Sequence, residues 1–333
     1  MSWETCKNSL DYYFSHSSGN ISIDFSGGEP LLNFELIKKA VEYSNLKLGK
    51  SNGRKQFSII TNGSLITDEI ISFFDNNRFD IQFSFDSILQ NKQRKAGSFK
   101  KSLIILEKLI EKKNITLSIS PVFTSENAEE IFNSMMFLKK KNFKNLIIGL
   151  DLSKRWNIQS RIKLKNELTK LMQEEINNYK NSGKILFNIF SDIESNGIGG
   201  CSAGNPQFSI SPSGDIWGCP SFTHLNWSKI KNEKASDYFY GNINDSRLKN
   251  IEKNFKFILN NYKNFRTDNF YTSKSKCFLC PYLHECKLCP AINKNSEKKN
   301  KSLYFIPEYI CEINKILHNS NREFINSIKK YKL

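Results

Sequence analysis

Residues 21–32 read Ile21-Ser22-Ile23-Asp24-Phe25-Ser26-Gly27-Gly28-Glu29-Pro30-Leu31-Leu32. The first five alternate large apolar and polar side chains over a short span, which predicts a β-strand. The chain then runs through Gly27-Gly28-Glu29-Pro30 into a helical pattern from Phe34 to Leu48. Two glycines after a strand permit positive φ and let the backbone come close to a ligand. Glu29 beside them can hold a cationic group, and Pro30 stiffens the exit. Taken alone, the same residues serve equally as a βα turn with an incidental Glu. The neighbouring segments have to decide.

Working outward, strand patterns recur at Phe57–Thr61, Asp80–Phe85, Thr116–Phe123, Leu146–Leu150 and Ile185–Phe190. Helical patterns lie between them at Asp68–Asn76, Phe99–Lys112, Ala128–Lys140 and around Ile162–Lys180. Strands alternating with helices of this length predict an α/β fold of parallel βαβ units with right-handed crossovers. The open choices are a doubly wound sheet and a (β/α) barrel, complete or partial, and both place ligands at the C-terminal ends of their strands. On that rule Glu29, Asn62, Ser84 and Asp86 share one rim. Each alone reads as a turn or cap residue, but three consecutive polar strand ends favour a small-molecule site.

The 333 residues suffice for one large domain or two ordinary ones. With 39% hydrophobic and 25% charged residues the chain is globular. No apolar run approaches the roughly 20 residues of a membrane helix, and residues 1–10 resemble no signal peptide, so the expectation is a cytoplasmic protein without a membrane partner. The net charge of +16 permits a nucleic-acid partner. The lysines, however, are spread along the whole chain among Asn and Ile, which argues against a dedicated nucleic-acid surface.

Of eight cysteines, Cys6 stands alone and the other seven lie between Cys201 and Cys311. That clustering points to metal rather than to a secreted disulfide scaffold. The glycine-rich stretch Ser195–Gly200 marks a boundary near Asn196, and no internal repeat is present. Cys201 and Cys219 flank a predicted hairpin, Phe208–Ser211 and Ile216–Gly218 about the turn Pro212-Ser213-Gly214-Asp215, which brings both within reach of one metal centre. Then come Cys277-X2-Cys280-X5-Cys286-X2-Cys289 and Cys311. Paired CxxC motifs suit a zinc ribbon when about 15–20 residues separate them; the five found here suit an iron–sulfur cluster better. Seven thiols also exceed the four of one zinc site.

Together these features resemble radical S-adenosylmethionine (radical SAM) enzymes that carry a C-terminal SPASM domain, over about Ser2 to Lys315. The resemblance rests on Gly27-Gly28-Glu29-Pro30, Ile60-Thr61-Asn62-Gly63, Gln82-Phe83-Ser84-Phe85-Asp86, Cys201-X12-Gly214-X4-Cys219, the later cysteines and Gly241-Asn242-Ile243. It implies a partial (β/α) barrel at 1–195, a small cysteine-rich α+β SPASM domain at 196–320 and a tail at 321–333. It implies that Glu29, with Gly27, Gly28 and Pro30, receives the amino group of SAM, and that Asn62, Ser84 and Asp86 lie at strand ends which contact it. Arg94 would pair with the SAM carboxylate, although Gln90-Asn91 stand where the family often has His-Asp. By the same resemblance Cys277, Cys280, Cys286 and Cys311 hold one auxiliary [4Fe–4S] cluster, and Cys201, Cys219 and Cys289 ligate a second. Cys286-X2-Cys289 is one residue shorter than the frequent spacing.

The family's SAM-cleaving cluster needs a CxxxCxxC loop well before GGEP. Only 26 residues precede Gly27, and they contain one cysteine. Two explanations compete: a truncated or mis-started chain, inactive as such, and a degenerate relative that binds peptide without catalysis. The expected function is a maturase of a ribosomally made peptide or protein, drawing electrons from a reductant such as flavodoxin or ferredoxin. Sulfatase maturation is a less favoured branch, because those enzymes place Asp directly after the second SPASM cysteine and this chain has Pro220. RNA modification is a further rival that the charge permits.

Overall fold

A computed structural model describes residues 1–17, 20–48, 55–191, 207–223, 239–245, 279–282, 286, 289 and 306–331. In chain order, α1 (Trp3–His16), β1 (Ile21–Phe25), α2 (Phe34–Leu48), β2 (Lys55–Thr61), α3 (Asp68–Asn76) and β3 (Asp80–Phe83) come first. Next are α4 (Gln90–Gln93), α5 (Ser98–Ile110), β4 (Thr116–Ile119), β5 (Val122–Phe123), α6 (Ile131–Lys140), β6 (Gly149–Leu150) and α7 (Ile158–Ser182). The remaining described elements are β7 (Ser209–Ile210), β8 (Asp215–Trp217), α8 (Pro220–Thr223), β9 (Phe239–Asn242) and α9 (Glu308–Ile328). They fall into two compact units that interleave along the chain. One comprises Met1–Thr61, Leu65–Asp80 and Cys201–Arg266; the other comprises Asn62–Ser64, Ile81–Gly200 and Thr267–Leu333.

In the first unit β1 and β2 pair in parallel, Ile21 opposite Lys55 through Phe25 opposite Ile59. Helix α2 makes the crossover, burying Ile37, Ala40, Val41 and Ser44 at helical spacing. Helix α1 is capped by Ser2, whose Oγ accepts from Thr5 N at 3.1 Å, and packs Cys6 and Leu10 against Ala40. Phe79 gathers the aromatic core, with Phe57 at 5.7 Å and Phe74 at 4.7 Å between ring centroids. The predicted hairpin is present as β7 and β8, antiparallel, with β9 beside β8. The segment Gly241-Asn242-Ile243 is tied to the hairpin turn: Ile243 N donates to Gly214 O at 2.8 Å and Asn242 Nδ2 to Asp215 Oδ1 at 2.8 Å. This small sheet rests on α1, where Asn244 Nδ2 donates to Thr5 Oγ1 at 3.0 Å and Tyr12 and Tyr13 pack edge-on against Phe208.

In the second unit β4 lies next to β3, and parallel bridges join Ile119 to Leu146 and Leu146 to Phe187. Beyond Pro121, β5 and β6 pair in parallel. Helix α7 carries two carboxylates in its buried stripe, and each accepts backbone N–H groups. Glu167 Oε2 receives Phe132 N at 3.1 Å at the start of α6. Glu175 receives Leu186 N at 2.7 Å and Phe187 N at 3.1 Å. Helix α9 packs on α7, with the Phe324 ring 5.1 Å from Phe190 and 6.3 Å from Tyr179.

The fold is α/β, as expected, with differences at element ends. The strand expected over Asp80–Phe85 ends at Phe83, and the one over Thr116–Phe123 is interrupted at Ser120–Pro121, where Pro121 has no N–H to give. Ile185–Phe190 offers one bridge at Phe187 and then a 3-10 turn, Asn188–Phe190. Helix α9 runs through the segment set apart as a tail from residue 321.

Candidate functional site

In the first unit the chain leaves β1 through Gly27, whose φ of +141° is a conformation side chains rarely adopt. Open space surrounds the Cβ positions of both Gly27 and Gly28, and their backbone is exposed. Glu29 then takes extended backbone and caps the 3-10 turn Pro30–Asn33. Its Oε1 accepts from Leu31 N at 3.2 Å and from Thr61 Oγ1 at 2.7 Å. Thr61 is buried at the end of β2. The carboxylate is therefore fixed by a turn on one side and a strand end on the other.

In the second unit Asn62 turns its side chain back on the chain, Oδ1 accepting from Ser64 N at 2.8 Å. Gly63 has φ +74°, and a Cβ there would overlap the Phe83 ring; both constraints demand glycine. Ser84 is half-buried just past the end of β3. Asp86 is buried and fully engaged: Oδ2 accepts from Arg94 Nε at 2.6 Å and Oδ1 from Val122 N at 3.1 Å. Arg94 is about one-third exposed. With Nε committed to Asp86, the outer edge of its guanidinium keeps the fork that matches a carboxylate.

The Gln90-Asn91 departure also has a local explanation. Gln90 is buried, its Oε1 accepting from Asp86 N at 2.8 Å and its Nε2 donating to Ser98 Oγ at 3.2 Å. Asn91 Oδ1 receives Phe99 N at 3.0 Å at the start of α5. Gln93 Nε2 donates to Val122 O at 3.0 Å, so α4 and β5 both brace Arg94.

Of the predicted cysteines, Cys201 and Cys277 lie outside the described residues. Cys219 follows β8 in the first unit, and Cys280, Cys286, Cys289 and Cys311 belong to the second; all five are half-buried and in no disulfide. Helix α9 gathers three of the second unit's four. Cys311 sits in its first turns, and Asn314 Nδ2 donates to Cys286 Sγ at 3.8 Å. The segment bearing Cys280 is fastened to α9 through Tyr282, which stacks on His318 at 5.6 Å and hydrogen-bonds Asn319. Arg322 lies 4.4 Å over the same ring and donates to Pro281 O at 3.2 Å. Among the described residues no three His, Cys, Asp or Glu side chains gather as closely as one metal ion requires. Thiolate is the donor that a multi-iron cluster takes, and Cys311 on α9 with Cys286 beside Asn314 supplies that donor type. Cys6 is separate, packed in the α1–α2 core, where burial pushes its thiol up to about 11. A cavity of about 550 Å³ opens at Arg155–Gln159 and Arg161 at the start of α7, and none of the predicted residues line it.

The sequence model of the radical SAM superfamily matches residues 1–138. The chain belongs to the radical SAM superfamily. The chain is 26% identical over 320 residues to the radical SAM cyclopropyl synthase TigE of Paramaledivibacter caminithermalis, across 89% of this chain and 59% of that enzyme. It thus spans less than two thirds of that relative's length. It is 24% identical over 314 residues to a cysteine-type anaerobic sulfatase-maturating enzyme of Clostridium perfringens, across 85% of this chain and 77% of that one. The solved structure of native anSMEcpe with bound AdoMet has the same fold, with a TM-score of 0.76 at 21% identity, covering 100% of this chain and 91% of that chain. SAM and an iron–sulfur cluster are the cofactors of the radical SAM superfamily, and AdoMet is bound in the solved anSMEcpe structure. No described helix is long and apolar enough to cross a membrane.

Sequence reasoning missed the residues that aim the predicted ones. Thr61 was visible only as part of Thr61-Asn62-Gly63, yet the β1–β2 register already placed it beyond Ile59, opposite the exit from Phe25. Gln90, Gln93 and the Val122 backbone carry no local signal, because their roles arise from tertiary placement.

Proposed function

We infer that this radical SAM protein is a cytoplasmic SPASM-type maturase that modifies a ribosomally made peptide or protein side chain by hydrogen abstraction. The observation that carries this reading is the joining, on one chain, of the doubly anchored Glu29 with thiols collected on α9. Residues 1–195 form the SAM-binding core and 196–320 the SPASM domain. Glu29 receives the ammonium group of SAM beside the bare backbone of Gly27 and Gly28, with Pro30 holding the turn. Arg94, aimed by Asp86, takes the carboxylate, and Asn62 and Ser84 supply strand-end contacts. In a whole enzyme that also carries the CxxxCxxC loop, reductive cleavage of SAM would supply the radical, with electrons from a carrier of the flavodoxin or ferredoxin type.

Cys277, Cys280, Cys286 and Cys311 hold one auxiliary [4Fe–4S] cluster, and Cys201, Cys219 and Cys289 a second. The sulfatase-maturating activity named for the Clostridium perfringens relative supports a peptide or protein substrate. Pro220, which opens α8 directly after Cys219, sets the chain apart from a formylglycine-forming maturase that needs an acid there.

Anaerobic reconstitution tests the reading. Two [4Fe–4S] clusters correspond to about eight irons per chain with charge-transfer absorbance near 400 nm, and Cys311→Ser should lose roughly half of that iron. Bound zinc with no such absorbance would overturn it.

A further inference from the structure

Among the described residues three that are not glycine have positive φ: Arg78, Ser87 and Asn142. Arg78 and Asn142 are exposed and lie just beyond the ends of α3 and α6, where a left-handed residue is ordinary. Ser87 ends no helix. It is fully buried, has φ +52°, and opens the 3-10 turn Ser87–Leu89 directly after Asp86. Glycine would take this conformation without strain, so the side chain must supply what glycine lacks. Ser87 Oγ donates to Ser134 O on α6 at 2.9 Å, a bond buried at both ends. The turn that carries Asp86 is thereby fastened to a packed helix. Asp86 in turn receives Arg94 Nε at 2.6 Å and Val122 N at 3.1 Å. Strained backbone held by its surroundings is a mark of a functional position.

We propose that Ser87 is a positioning residue for SAM, its hydroxyl tying the Asp86 turn to α6 so that Asp86 aims Arg94 at the SAM carboxylate. This rests on the reading of Arg94 as the group that takes that carboxylate. Ser87 touches no ligand, because its side chain reaches no surface and its hydroxyl is committed to α6. Its effect is confined to the carboxylate end of SAM. The amino group is held at Glu29, whose anchors are Leu31 N and Thr61 Oγ1.

The test measures equilibrium dialysis of the full chain with SAM and with decarboxylated SAM, which keeps the sulfonium and the amino group and lacks only the carboxylate. Ser87→Gly relieves the backbone and removes the tie. It should weaken SAM about fivefold, or about 1 kcal/mol, the net worth of one hydrogen bond. Decarboxylated SAM should bind it as it binds wild type, a split that general loosening of the fold would not produce. In an Arg94→Met background Ser87→Gly should cost SAM nothing further. Circular dichroism verifies folding, and Ser87→Ala, which loses the same bond, carries the test if Ser87→Gly unfolds. A folded variant that binds SAM like wild type, or that weakens both ligands equally, overturns the proposal. A wild-type chain that does not prefer SAM over decarboxylated SAM overturns instead the reading of Arg94 beneath it.

Discussion

Replacing Thr61 by Val removes one hydroxyl and keeps the shape of a side chain that is only 2% exposed. The hydroxyl donates to Glu29 Oε1 at 2.7 Å, a bond to a charged acceptor worth about 1.5–3 kcal/mol. Glu29 keeps its Leu31 N bond at 3.2 Å, so the carboxylate stays on its turn but loses its anchor to β2. With about half of that energy expressed as misorientation toward a ligand ammonium, SAM affinity should fall about tenfold, or about 1.4 kcal/mol. Equilibrium dialysis with labelled SAM reads the affinity, and circular dichroism verifies that the fold is intact. A double-mutant cycle with Glu29→Gln isolates the pair and should give a coupling of about 1 kcal/mol, above the roughly 0.3–0.5 kcal/mol scatter of independent sites. Thr61→Val binding SAM as well as wild type, while Glu29→Gln does not, would refute the claim that the β2 anchor aims Glu29. Neither substitution changing the affinity would remove Glu29 from the site.

Gly63→Ala has to adopt φ +74° and displace the Phe83 ring. The backbone cost of about 1 kcal/mol adds to an overpacking cost of about 1–3 kcal/mol, seen as a lowered urea midpoint. Glu175 is buried in α7, and burial raises its carboxyl above the ordinary value against the opposing pull of its bonds from Leu186 N, Phe187 N and Asn178. A raised native pKa means that its contribution to stability is full below the unfolded carboxyl value and is lost as pH rises through the native one. The stability difference between wild type and Glu175→Gln, measured by urea unfolding from pH 4 to 7, should therefore move against wild type as pH increases. A difference independent of pH would refute the raised value, showing that the three hydrogen bonds offset burial in full.

The sequence makes the strand–helix alternation legible because β1, β2 and α2 bury their apolar residues at periods of two and 3.6. Gly27-Gly28-Glu29-Pro30 was legible for a related reason: a turn with positive φ and a fixed carboxylate leaves a compositional trace. Asp86 and Arg94 were singled out as ligand contacts, but their mutual bond, and the bracing by Gln90, Gln93 and Val122, depend on segments distant in sequence. Helix α9 escaped notice because its buried positions, from Tyr309 to Ile328, are interspersed with Asn, Ser and His that weaken the apolar stripe. Glu167 and Glu175 hid α7's core face in the same way, since a buried Glu reads as a surface residue until its backbone donors are known.

The packing of α1 against the β7–β9 sheet has a consequence for biosynthesis. Thr5 and Asn244, joined by one hydrogen bond, stand 239 residues apart. During translation α1 emerges well before β7, β8 and β9, and the sheet that covers Tyr12 and Tyr13 is complete only when β9 has left the ribosome. For most of synthesis that aromatic face is solvent-exposed on the nascent chain. It is a face that a chaperone would recognise, and the first unit closes only after most of the second has been made.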